Sequence, residues 1–160
     1  MIVNPTEGYV RVERRGPISH IEFFHPQSNS LPSDLLAALA KSISDEGHDP
    51  AVHVIVLRSG GDRVFCGGAS FTELASISTE AHGLAFFSGF AHVINAIRRV
   101  PKFVVGRVQG KAVGGGVGLA SAVDYCIATQ HAAVKLSELA VGIGPLWSDP
   151  RWSAKWASAP

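Results

Sequence analysis

The sequence predicts an α/β fold in which helices pack against a largely parallel sheet. Three observations point there. Apolar, β-branched runs alternate with amphipathic stretches along the chain, as strand–helix–strand units require. One run, at residues 52–57, is nearly all apolar and reads as a strand covered on both faces. Two small-residue loops, at 65–69 and 114–116, each follow an apolar strand.

In chain order, Tyr9 to Glu13 alternates apolar and charged residues as a half-exposed strand does. A turn signal at 14–17 leads into a second extended run, Ile18 to Phe24, and the two read as an opening hairpin. Residues 26–32 read as loop. Leu35, Leu36, Leu39 and Ile43 then fall at helical spacing, with Ser33 as N-cap and Gly47 as stop signal. After the buried run at 52–57 and its glycine break, Phe71 to Leu74 can start a short helix. Phe86, Phe90, Val93 or Ile94, and Ile97 form one helical stripe that ends before Pro101. Residues 103–108, 124–128 and 134–136 read as further strands, the first followed by the glycine run.

The chain has 160 residues, 46% hydrophobic and 17% charged, which suits one folded core and excludes a disordered chain. A net charge of +1 forces no basic face for nucleic acid. The charged N-terminus lacks an apolar signal core, and no uncharged stretch reaches the roughly 20 apolar residues of a membrane span. These features predict a soluble chain with no nucleic-acid or membrane partner. Two cysteines, Cys66 and Cys126, build neither a disulfide scaffold nor a paired metal site, so a reducing, cytoplasmic setting is expected.

Glycines let backbone N–H groups approach a ligand, and a helix starting beside them adds its positive end. Two such loops, if they converge, make an oxyanion hole; singly, each is equally well explained as a tight turn. Glu138, among apolar neighbours, is the acidic residue best suited to proton transfer. Asp124 reads as structural, His53 as a core or edge histidine, and Cys66 as a small buried hydrophobe. The seven histidines show no metal-ligand spacing, so no metal is expected. Residues 116–121 approximate the dinucleotide fingerprint, but with serine at its last position and late in the chain, which makes a dinucleotide-binding domain the weaker reading.

Residues 54–70, V-I-V-L-R-S-G-G-D-R-V-F-C-G-G-A-S, resemble the first signature of the enoyl-CoA hydratase/isomerase (crotonase) superfamily. Residues 101–124, P-K-F-V-V-G-R-V-Q-G-K-A-V-G-G-G-V-G-L-A-S-A-V-D, resemble the second, and 135–142, K-L-S-E-L-A-V-G, the third. His25-Pro-Gln-Ser-Asn-Ser-Leu31 fits the family's early H-P-x-x-N-A-L. The resemblance runs in order from about Tyr9 to Pro145. It implies a crotonase-like (ClpP/crotonase) spiral of ββα units, with core 1–145, incomplete at the C-terminus. It places the two oxyanion amides on Ala69 and Gly115, an adenine-gripping backbone at Gly67, and a catalytic glutamate at Glu138. The implied ligand is an acyl-CoA thioester, with coenzyme A as part of the substrate and no separate cofactor.

Three positions depart from the family pattern. Gly118 stands where hydratases carry a second glutamate, which favours isomerase-type proton shuttling over water addition. Ser70 replaces the usual Asp beside the oxyanion loop, so a bracing contact is expected to be lost there. Phe103 replaces the second proline of P-K-P. The rival readings are a non-catalytic CoA-binding or oligomerisation module and an inactive fragment. The family assembles as trimers or hexamers through C-terminal helices that have no counterpart here, so exposed apolar faces and misassembly are expected.

All three tryptophans follow Pro145, in a stretch without periodicity. Residues 146–160 are expected to be an aberrant tail from a shifted reading frame. A back-translation of this tail, read two bases later, gives L-V-G-P-A-V-E-R-K-M-G-K-R-P, close to the family's continuation after G-I-G-P. The expectation is checked by sequencing the coding DNA past the stop for a crotonase-like open frame.

Overall fold

The computed structural model describes residues 8–137. Strands β1 (Tyr9–Arg15) and β2 (Ile18–Phe24) form the expected antiparallel hairpin, Tyr9 opposite Phe24 and Arg15 opposite Ile18. There follow β3 (Ser30–Leu31), α1 (Ser33–His48), β4 (Val54–Ser59), β5 (Val64–Cys66) and β6 (Gly68–Ala69). Then come α2 (Phe71–Ser76), α3 (Glu80–Arg99), β7 (Phe103–Val108), β8 (Lys111–Val113), α4 (Gly115–Ala122), β9 (Tyr125–Ala128) and β10 (Ala133–Lys135). The main sheet has the order β1-β2-β4-β7-β9 and is parallel from β2 onward. A small parallel sheet, β10-β8-β5, and the pair β3-β6 complete it. The α/β class and the mostly parallel sheet are as expected.

Leu35, Leu36, Leu39 and Ile43 of α1 and Phe90, Val93, Ile94 and Ile97 of α3 are buried against Ile21, Phe23, Ile55, Leu57 and Val104 of the sheet. Phe23 and Phe65 meet edge to face at 5.4 Å in the middle of this core, the geometry that the ring quadrupole favours. Beside it, Arg14 holds the buried Glu46 through Nε–Oε2 at 2.8 Å and reaches Asp49 at 2.7 Å. The hydrogen bond from Arg14 keeps the Glu46 carboxyl below its usual range.

Several local expectations differ from the fold. Ser33 is the first residue of α1, not its cap; Pro32 occupies the cap position without a side-chain bond. The Ser33 amide is met instead by Glu73 Oε2 at 2.8 Å, a carboxylate from α2 placed at the positive end of α1. Gly47 lies inside α1 because a Cβ there would stand 2.3 Å from Val100 Cγ1, so its role is close packing and not helix termination. Strand β4 starts at Val54, and its burial alternates instead of being complete on both faces. His53 is exposed and precedes that strand, its amide bonded to Pro17 O at 2.8 Å.

Candidate active site

The two glycine loops converge. Gly68 has φ +94°, a conformation that glycine adopts without strain. A Cβ placed on it would lie 3.1 Å from the Val113 carbonyl oxygen and 4.0 Å from the Gly115 amide nitrogen. The strand pair β3-β6 sets Ala69 opposite Leu31 and Gly68 opposite Ser30. On the other side, Gly114 turns the chain with φ 53° and ψ −123°, and its own N–H is taken by Lys135 O at 2.9 Å. Helix α4 then begins within the glycine triplet, at Gly115, and not after it. The first amides of a helix have no intrahelical acceptor, so this end is electropositive and rich in donors.

The triplet is glycine for want of space. A Cβ on Gly115 would sit 2.7 Å from the Phe90 ring, and one on Gly116 would sit 2.6 Å from Cys66 O. Helix α4 is thereby pressed between α3 and β5. Cys66 is fully buried, and burial pushes its thiol up to about 12, so it stays protonated and apolar in character. Gly67 is clamped in the same way, since a Cβ would lie 2.7 Å from Ser28 O and 2.8 Å from Ser30 Oγ. Its amide donates to Asn29 O at 3.2 Å. Of the residues expected at the site, Gly67, Ala69 and Gly115 thus belong to one pair of abutting loops. Glu138 lies outside the described residues, as does the tail from 146 onward.

Two residues that sequence reasoning did not single out hold this frame. Asn29 is buried, adopts φ 53°, and donates through Nδ2 to Gly60 O at 2.9 Å and Val64 O at 2.8 Å. Its Oδ1 accepts the His25 amide at 2.8 Å. Gln109 is also buried and donates through Nε2 to Ser59 Oγ at 2.9 Å and Gly61 O at 3.1 Å. The signal for Asn29 was its place in H-P-x-x-N, together with the tolerance of Asn for left-handed backbone. Ser70 caps α2, its hydroxyl accepting Glu73 N at 3.3 Å, while its amide bonds Leu31 O at 3.1 Å.

Asp124 is structural as expected, accepting the Val104 amide at 2.8 Å. Among the described residues, no group of three or more His, Cys, Asp or Glu side chains could hold a metal ion. No helix among them is long and apolar enough to cross a membrane. Residues 116–118 lie inside α4, not in a strand-to-helix turn, so the dinucleotide fingerprint lacks its structural context.

The family model for enoyl-CoA hydratase/isomerase matches residues 13–156. The chain belongs to the enoyl-CoA hydratase/isomerase family. It is 35% identical over 117 residues to human mitochondrial methylglutaconyl-CoA hydratase, covering 73% of this chain and 34% of that protein. To carnitinyl-CoA dehydratase of Salmonella enteritidis it is 29% identical over 136 residues, 85% of this chain and 51% of that one. Among solved structures, an enoyl-CoA hydratase/isomerase (crotonase) of Legionella pneumophila superposes with a TM-score of 0.81 at 27% identity, covering 94% of this chain and 62% of that one. Pseudomonas aeruginosa DspI superposes with a TM-score of 0.83 at 25% identity, covering 97% and 63%. The crotonase-like fold is therefore shown. The chain spans about a third to a half of the length of these curated relatives.

Proposed function

We propose that this family member binds an acyl-CoA thioester and stabilises its enolate with the amides of Ala69 and Gly115. The convergence of their loops, with Gly68 packed against Gly115, carries the reading. Removal of a proton from the carbon beside the thioester carbonyl sends the electron pair to the carbonyl oxygen. Two fixed N–H donors and the positive end of α4 meet that charge as it develops. One such donor contributes about two to three orders of magnitude in rate. Glu138 takes the proton and returns it, and no cofactor beyond the coenzyme A of the substrate is called on.

Gly118, buried in α4, occupies the position of the second glutamate of hydratases. That favours isomerisation of an enoyl thioester over addition of water, because hydration is served by a carboxylate pair and isomerisation by a single shuttle. The test incubates trans-2-enoyl-CoA and 3-enoyl-CoA separately with the chain and follows product mass, with Glu138→Gln as control. An unchanged mass with a moved double bond supports isomerisation. A gain of one water assigns hydration and overturns the argument from Gly118. Binding of acyl-CoA in titration without turnover would make the chain a CoA-binding module, and no binding at all would sink the proposal.

A further inference from the structure

Helices α1 and α3 cover one face of the main sheet, and the Phe90 ring of α3 also closes the space beside Gly115, so the glycine-loop frame lies on that side. Among the described residues the opposite face is open to solvent. There Ile18, Val54 and Phe103 stand side by side across β2, β4 and β7, and Val56, Val105 and Tyr125 across β4, β7 and β9. Ile18, Phe103 and Tyr125 are exposed, and the three valines are half-buried. Parallel sheets are ordinarily covered on both faces, so this apolar surface is one that a partner element would fit.

Two residues nearer the carboxyl ends of the parallel strands, the same face turns from apolar to charged. Arg11, Glu22, Arg58 and Arg107 line up across β1, β2, β4 and β7. Glu22 is taken by Arg58 at 2.9 Å and by the Tyr9 hydroxyl at 2.7 Å, and Glu13 by Arg15 at 2.9 Å. Asp124, at the start of β9, already accepts the Val104 amide. Arg11 lies over the Tyr9 ring at 4.7 Å. Among the described residues, neither Arg11 nor Arg107 makes an ion pair.

We propose that this sheet face docks an amphipathic helix of another protein, apolar toward the valine rows and acidic along the flank that meets Arg11 and Arg107. From β2 to β9 the face measures about 14 Å, and from the Ile18 row to the arginine row about 13 Å, room for one helix and about nine of its residues. Guanidinium forks match carboxylates in two parallel hydrogen bonds, which sets the helix in register. The chain itself supplies no such element. Exposed charges on α1 are mixed (Asp34, Lys41, Asp45), and those on α3 are mostly basic (Glu80, Arg98, Arg99). Residues 138–160 carry two acidic and two basic side chains, Glu138, Asp149, Arg151 and Lys155. The sheet face of a second copy brings the same surplus of arginine.

The test uses a fluorescent, side-chain-stapled helical peptide of 14 residues with leucines on one face and glutamates on one flank. Its anisotropy is followed as the full chain is added at fixed ionic strength. Binding is expected, unchanged by saturating coenzyme A. Arg107→Gln should weaken it about fivefold, the size of one partly covered ion pair, and Phe103→Ser about tenfold, as for an apolar anchor. Both positions are exposed, and circular dichroism melting checks that the variants fold. A peptide with lysine in place of glutamate should bind poorly to wild type and better to Arg107→Glu. Equal binding of both peptides to wild type, or of a glutamate peptide with its leucines scrambled, overturns the proposal, and so does no binding at all. Displacement by coenzyme A would assign the face to the thioester site. Self-association abolished by Phe103→Ser, with the peptide unbound, would assign it to a second copy. Either outcome overturns the acidic helix.

Discussion

The glycine-loop frame and the β9–β10 margin stand in contrast within one short chain. Around the frame, Phe65, Cys66, Leu31 and Ala112 are fully buried, and a single methyl group does not fit at Gly115, where it meets the Phe90 ring, or at Gly116, where it meets the Cys66 backbone. At the margin, Tyr125 is 60% exposed, Ile127 54%, Val134 72% and Leu136 54%. Among the described residues β9 pairs only with β7 and lies at the edge of the main sheet. The frame is therefore complete within the described residues, while the margin presents an apolar face to solvent. A fold can finish its chemistry-bearing loops before it finishes its surface, because the loops are packed among β3, β5, β6, β8, α3 and α4, and β10 adds only the Lys135 carbonyl that takes the Gly114 amide.

Aromatic truncation should separate the two regions most sharply in the core. Phe65→Ala removes the ring that meets Phe23 edge to face, and is expected to cost about 3–5 kcal/mol. Urea denaturation checks this, and a loss below 1 kcal/mol would mean that the frame is not packed as described. Asn29→Ala comes next, at about 2–3 kcal/mol, since it strands the Gly60 and Val64 carbonyls. If thioester binding depends on this frame, acyl-CoA affinity falls in the same variant even where it remains folded. Unchanged affinity would detach the binding site from the Asn29 loop.

How much of this was legible depended on distance along the chain. The hairpin, the α3 stripe and the two glycine loops were readable because their signals are local periodicity or contiguous motif. The start of β4 was misread because Val52 is buried without being in a strand, a burial that apolar character alone cannot tell from pairing. The Ser33 cap failed because Glu73, forty residues on, supplies the carboxylate instead. Gln109 escaped notice for the same reason, since its partners at Ser59 and Gly61 lie about fifty positions away. Gly47 looked like a stop because its packing partner, Val100, is invisible in local sequence.

At Gly68 the expected effect is smaller. Gly68→Ala forces a left-handed residue to carry a Cβ 3.1 Å from Val113 O, a cost of about 1–2 kcal/mol. The measurable sign is a lower denaturation midpoint together with weakened acyl-CoA binding; a neutral result would mean that the loops can shift apart. Acid should act on the molecule through two sets of groups. Burial holds His25 and His20 below the ordinary histidine value, so the unfolded chain binds more protons than the folded one as pH falls below about 6.5. Stability is full above that value and declines as pH drops toward the folded-state values. Glu46, held down by its bonds to Arg14, and Asp49, held down by the Ala51 amide and then Arg14, add a second decline through the carboxylate range. Calorimetric melting from pH 7 to 3 should show both, and His25→Gln should flatten the first. A melting temperature that rises on acidification contradicts the assignment.

The smallest stability effect is expected at the margin. Tyr125→Ser and Ile127→Thr remove side chains that are more than half exposed, so each should change stability by no more than about 0.5 kcal/mol. Their effect should appear in association instead. An edge strand with unpaired backbone groups and apolar side chains is a template for further chains, and a polar substitution on it blunts that tendency. Light scattering of the purified chain should show concentration-dependent, open-ended assembly that both variants suppress. The free energy of covering this face is not gained within the described residues, so it remains available to drive contact between chains. A wild type that elutes as a discrete trimer, with Tyr125→Ser leaving it unchanged, would place the self-contact on another face.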